Sequence, residues 1–122
     1  MNYLDSNVWL YALMFSNDDW KRRRAMELIE SGNIAVSINV INEVCRVLRK
    51  KGGLSEEFIR SVIRGFYLRF AVIQLDEIDI VKASELRERY NFSFWDGIHV
   101  AVVLKAGASK LYSEDMHDGL VI

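Results

Sequence analysis

The chain has 122 residues, 51% of them apolar, with one cysteine and no proline; this suits a single domain with its own core and excludes an intrachain disulfide framework. Sixteen basic and 17 acidic residues leave a net charge of −1, so bulk charge does not mark a nucleic-acid binder and any such role must come from local arrangement. The opening "MNYLDSN" has no basic and apolar leader, and no apolar run approaches membrane-spanning length, so the expected setting is the cytoplasm, with no membrane partner.

Taken in order, a first strand is expected at "NYL" and a first helix at "SNVWLYALMF". From Asp18 to Ser31, Ala25, Leu28 and Ile29 share one face, Arg23, Glu27 and Glu30 share the opposite one, and Gly32 offers a stop. "IAVSI" from Ile34 reads as a second strand. From Asn39 to Lys51, Val40, Val44, Val47 and Leu48 keep helical spacing before a basic last turn and "GG". Ser55 is a fitting N-cap for a helix whose stripe is Ile59, Val62, Ile63, Phe66 and Phe70. "FAVIQL" from Phe70 gives a third strand, a fifth helix begins near Asp76 or Asp79 and carries Ala83, Leu86 and Tyr90, and a sixth runs from Phe94 or Trp95 to Ala106, ending at Gly107. "SKLYS" from Ser109 is the fourth strand. Strands alternating with helices imply an α/β architecture with a mainly parallel sheet, since parallel neighbours need long crossovers.

In open sheets of this kind ligands bind beyond the carboxyl ends of the strands. Asp5 follows the first strand at once, Asp115 follows the last, Glu43 lies early in the helix after the second strand, and Asp96 begins the helix that feeds the fourth. Each has a plain structural reading: Asp5 and Asp96 as helix N-terminal acids, Glu43 as an i,i+3 partner of Arg46, Asp115 as a turn acid. Together, four carboxylates converging on one sheet edge would oppose folding unless a cation neutralised them. All-oxygen ligation points to Mg²⁺ or Mn²⁺ rather than zinc. Such an ion lowers the pKa of a coordinated water, shields a phosphodiester and stabilises the departing 3′-oxygen, which is nuclease chemistry.

"YLDSN", the Glu43 of "INVINEVCRVLRK" and "YNFSFWDGIHVAVVLKAGASKLYSEDMHDG", in that order, resemble PIN-domain proteins, above all VapC-like ribonuclease toxins. The similarity spans roughly residues 2 to 119 and is most specific from Tyr90 to Gly119. It implies a Rossmann-like three-layer α/β/α sandwich, a Mg²⁺- or Mn²⁺-dependent endoribonuclease acting on RNA, a homodimer, and inhibition by a cognate antitoxin that covers the active groove. By motif position Asp5, Glu43, Asp96 and Asp115 carry over as the acidic quartet, with Asn7 and Ser113 orienting ligands or waters. Asp118 supports or replaces the fourth acid. Family members commonly continue past this motif with another short strand, whereas this chain stops at Ile122, so one sheet edge is expected to fall short.

His99 and His117 are read as packed, hydrogen-bonded residues more readily than as ligands or bases, so water attack leaving 5′-phosphate and 3′-hydroxyl ends is expected in place of a ribose 2′-hydroxyl mechanism. "WKRRR" and "RVLRKK" contain Arg22, Arg23, Arg46 and Lys50, a candidate basic rim for the RNA backbone; the plain alternative is a solvated face in which Arg23 pairs with Glu27. Trp20 and Tyr67 are candidates for stacking on bases, while Trp9 and Trp95 read as core or dimer contacts, and Cys45 as a small packed residue. "LDSNVW" has no glycine-rich turn for a dinucleotide, and an aspartyl phosphatase would want a positioned lysine that is not identifiable. The remaining alternative is a catalytically silent PIN-like module that grips RNA or a protein.

Overall fold

In the computed structural model, residues 1–14, 19–113 and 120–121 are described. Their strands are Asn2–Leu4 (β1), Ile34–Ser37 (β2), Ala71–Ile73 (β3), Lys110–Tyr112 (β4) and Leu120–Val121 (β5), and their helices are Ser6–Leu13 (α1), Asp19–Glu30 (α2), Ile38–Lys50 (α3), Glu56–Arg69 (α4), Glu77–Tyr90 (α5) and Phe94–Ala106 (α6). The sheet order is β3-β2-β1-β4-β5, parallel except for β5, which runs antiparallel to β4. The fold is thus the α/β arrangement with a mainly parallel sheet that the alternation of patterns predicts. The edge expected to fall short is corrected: Leu111 opposes Leu120 and Lys110 opposes Val121, because two residues suffice to extend a ladder by one short pairing.

Local chemistry sets the element boundaries. Asp5, Ser37, Ser55, Asp76 and Ser93 are the N-caps of α1, α3, α4, α5 and α6, each accepting a backbone N–H three residues on. Asp76 and Asp79 complete a reciprocal capping box. Gly107, at φ 68°, closes α6 in the left-handed region that a side chain resists.

All four residues of β2 are buried. Ile34, Ala35 and Val36, with Tyr3, Leu4, Val40, Val44, Leu48, Val102, Val103 and Leu111, form the main core, consistent with a sheet covered on both faces. Trp9 belongs to this core, meeting Phe66 and Phe70 edge-on at 4.9 and 5.0 Å. The α4 stripe follows it inward: Ile59 and Phe66 are buried and Val62, Ile63 and Phe70 pack against the cluster, so these positions serve the core. A second cluster joins Ala83 and Leu86 of α5 to Ile98, Val100 and Ala101 of α6. α6 therefore buries opposite faces, one in each cluster, which explains an almost uniformly apolar helix. No helix of the described residues is long and apolar enough to cross a membrane.

Candidate active site

β2 and β3 lie to one side of β1 and β4 to the other, so the direction of winding reverses between β1 and β4. At such a switch point the two outgoing connections part and leave a crevice beyond the carboxyl ends of the strands. Asp5 follows β1 there and Ser113 follows β4, and the Asp5 backbone N–H continues the ladder by donating to the Tyr112 carbonyl at 3.0 Å. The crevice is a cleft of about 820 Å³ lined by Asp5, Asn7, Glu43, Arg46, Trp95, Asp96, His99 and Ser113, among others.

Three of the four acids expected to converge, Asp5, Glu43 and Asp96, thus face one cleft, together with both residues expected to support them, Asn7 and Ser113. Asp115, Asp118 and His117 lie outside the described residues. Of the basic residues considered for a rim, Arg46 lines the cleft; Arg22, Arg23 and Lys50 are exposed and do not belong to the described lining. The helix pair expected between Arg23 and Glu27 is replaced by one from Arg24 to Glu27 at 3.7 Å. Trp95, read as a core or dimer contact, is not a core residue: it is 60% exposed and stands on the cleft wall, because α6 turns its apolar faces inward only from Gly97 onward. Trp20 and Tyr67 are exposed away from the described lining.

Asp5 has two duties. It caps α1 through Val8 N–H at 3.3 Å, and it is only 8% exposed. Burial raises its pKa, opposed by hydrogen bonds from the Ser113 hydroxyl and the Val8 backbone, the charge of His99 and the Asn7 backbone N–H. Burial lowers the pKa of His99, opposed by Asp5 and then Asp96. The imidazole therefore lies within electrostatic reach of both aspartates. Its Nδ1 is 2.7 Å from the Tyr3 hydroxyl, so it is the packed, hydrogen-bonded residue expected and a cleft residue as well. Spacing could have found this, since His99 follows Asp96 at i,i+3 on one helix face.

Glu43 satisfies its plain reading too. Arg46 donates to its two carboxylate oxygens, Nη2 to Oε1 at 2.9 Å and Nε to Oε2 at 3.3 Å. This forked pair neutralises one acid locally, so the mutual repulsion argued from sequence is smaller than four bare charges would give. Among the described residues no three His, Cys, Asp or Glu side chains form a ready metal cluster. In kind, the donors fit a hard divalent cation: Asp5, Asp96 and Glu43 carboxylates, the Ser113 hydroxyl and the Asn7 amide, with no thiolate in the lining. A buried carboxylate such as Asp5, destabilised by desolvation, is the group a cation would most relieve. Cys45 packs against the core and burial, then Glu56, raises its thiol pKa, the opposite of an activated nucleophile.

The comparisons with known proteins bear on the fold. No curated protein matches the sequence. Similar solved structures include a toxin–antitoxin complex from Klebsiella pneumoniae, at 17% identity and TM-score 0.72 over 97% of this chain and 89% of that one. VapC20 of Mycobacterium tuberculosis, described as a sarcin–ricin-loop-cleaving toxin, is similar at 21% identity and TM-score 0.70, over 96% of this chain and 92% of that one. FitAB bound to a DNA fragment is similar at 18% identity and TM-score 0.70, over 97% and 87%. At these identities the likeness is one of fold. The model of the PIN domain matches residues 3–117, from within β1 past the last strand-end acid motif, and the chain belongs to the PIN domain family.

Proposed function

We propose that the protein is a Mg²⁺- or Mn²⁺-dependent endoribonuclease, the toxin of a toxin–antitoxin pair. The single observation that carries the reading is the meeting of Asp5, Glu43 and Asp96, from three distant parts of the chain, in one cleft at the switch point of the sheet. A protein antitoxin as partner is supported by the kind of complex in which the similar Klebsiella pneumoniae chain occurs. A homodimer and a cytoplasmic setting belong to the same proposal.

Asp5 and Asp96 would hold the ion, with Glu43 joining on release from Arg46 and Asp115 as the fourth acid. When bound, the ion supplies Lewis acidity toward the phosphodiester and a water of lowered pKa. The chain's own residues do the rest. Ser113 and the Val8 and Asn7 N–H groups hold Asp5 in one orientation, Arg46 offers cationic donors to a phosphate, and Trp95 presents an exposed face on which a base can stack. Asp118 is a further supporting acid in this scheme. Arg22, Arg23 and Lys50 would meet RNA only outside the cleft.

The test is cleavage of diverse single-stranded RNAs with Mg²⁺ or Mn²⁺, with product ends identified as 5′-phosphate and 3′-hydroxyl. EDTA should abolish cutting, and Asp5→Asn or Asp96→Asn should each lower it by about 100-fold or more, as expected when a group acting on developing charge is lost. Cutting that survives both treatments rules out this mechanism. RNA binding without cutting would favour the second reading, a silent PIN-like module, for which the Arg46 grip on Glu43 is the motivating observation.

A further inference from the structure

We propose that His99 serves as a neutral hydrogen-bond donor, its proton fixed on Nε2, that positions a phosphodiester oxygen of the RNA; a buried chain of hydroxyls running from the N-terminus of α3 through Tyr3 sets that tautomer. The inference rests on the nuclease reading for its substrate and on the hydrogen-bond geometry alone for its tautomer.

The chain has a fixed beginning. Val40 N–H can only donate, and it meets Ser37 Oγ at 3.1 Å. Ser37 Oγ is 3.1 Å from the Tyr3 hydroxyl, and the Tyr3 hydroxyl is 2.7 Å from His99 Nδ1. Ser37 is 2% exposed and Tyr3 fully buried, so both hydroxyls rely chiefly on protein partners. Each hydroxyl carries one proton. If Tyr3 donated to Ser37, the serine proton would have no acceptor among the described residues, because the serine oxygen has Val40 and Tyr3 as its partners there and both would then be donors. A buried hydroxyl proton stranded in this way is unfavourable.

The opposite direction satisfies every group: Ser37 donates to Tyr3, Tyr3 donates to Nδ1, and Nδ1 accepts. A neutral imidazole whose Nδ1 accepts holds its proton on Nε2. Successive donors polarise one another, and this chain starts at the positive end of α3, which strengthens the last donor in the series. The burial that keeps the Tyr3 proton in place also disfavours a charged imidazole.

Among the described residues, Nε2 is then a donor without an intramolecular acceptor. Asp5 is bonded by Ser113, Val8 and Asn7, and His99 reaches it only through its charge. His99 lines the cleft between two carboxylates, yet a protonated ring nitrogen cannot ligate a cation. An N–H facing a cleft suited to a phosphodiester is complementary to an anionic oxygen of that group. His99 is on this account a positioning donor and neither a metal ligand nor a general base.

Two measurements on the full-length protein test this. Long-range ¹H–¹⁵N correlation of the imidazole, recorded on metal-free protein, should give the Nε2-protonated pattern for His99, and Tyr3→Phe should release it to a tautomer mixture. An Nδ1-protonated ring in the wild type would overturn the inference. In single-turnover RNA cleavage, His99→Asn, whose amide overlays Nδ1, should slow the reaction about tenfold or more, while His99→Gln, whose amide reaches the Nε2 position, should stay within about threefold of wild type. Equal losses in the two variants would overturn the positioning role. A wild type that cuts no RNA would instead overturn the nuclease reading, and the nitrogen shifts would still decide the tautomer.

Discussion

Arg46 holds Glu43 with two donors, and that grip sets the balance of charge in the cleft. The pair is exposed, with 60% and 45% of the two side chains accessible, so solvent screening leaves it little influence on stability. Its influence on ligands is larger. Arg46→Ala should bind Mn²⁺ about tenfold more tightly, the size of one removed unit charge acting on a divalent ion over several ångströms at water-like screening, and should bind RNA more weakly because a phosphate donor is lost. Titration calorimetry with Mn²⁺ and anisotropy with labelled RNA would read the two effects separately, and the melting temperature should barely move. If both affinities fell together, Arg46 would be organising the cleft instead of competing for Glu43. Asp5 shows a different compromise: one carboxylate caps α1 and stays buried, and its desolvation leaves it responsive to whatever cation comes near.

At the scale of elements, the seam between α5 and α6 fixes where Asp96 and His99 stand. Gly97 is buried in that seam: a Cβ there would lie 2.5 Å from Arg87 Cγ and 3.0 Å from the Ala83 carbonyl oxygen. Lys105 secures the same pair of helices by donating to Asp79 at 2.7 Å and to the Gln74 carbonyl at 2.6 Å. Replacing a helical glycine by alanine returns about 1 kcal/mol of backbone entropy, whereas forcing a methyl into a packed seam costs about 1–3 kcal/mol. The obstacle here is backbone and the stem of a side chain, so Gly97→Ala should be net destabilising. Urea denaturation would measure it, and Arg87→Ala in the same chain should recover part of the loss. A more stable Gly97→Ala would mean that the helices part easily. The apolar run "GIHVAVVLKAG" reads as a buried helix from sequence, but that it is buried by two different clusters follows only from α5 lying across it.

For the whole molecule, Tyr3 is the residue that ties distant parts together, joining β1 to the end of β2 and to α6 through bonds that span 34 and 96 residues. Burial, outweighing the Ser37 hydrogen bond, raises its pKa. Below the ordinary phenol value of 10.0 folded and unfolded chains both keep the proton, and stability is unaffected. Above it the unfolded chain releases the proton while the folded chain keeps it, so stability falls as pH rises toward the folded value. Unfolding free energies from pH 9 to 11 should therefore drop more steeply, by up to about 1.4 kcal/mol per pH unit above the ordinary phenol value, in wild type than in Tyr3→Phe. Parallel slopes would show that the phenol is not held as described. The sequence by itself determined the order of elements, the Ser55 cap, the Gly107 stop and the acids that follow strands, because periodicity and capping are local, and because parallel strands with helical crossovers return the chain to one edge of the sheet. It anticipated Asp5, Glu43 and Asp96 in one place for that reason, whereas Asn7 and Ser113 were implied by the family resemblance. Only the tertiary structure decided the strand order that sets β1 beside β4, the burial of Asp5, the exposure of Trp95 and the hydroxyl chain behind His99. These depend on which rotamers and neighbours remain available once residues far apart in the chain are pressed together, and no local pattern encodes that.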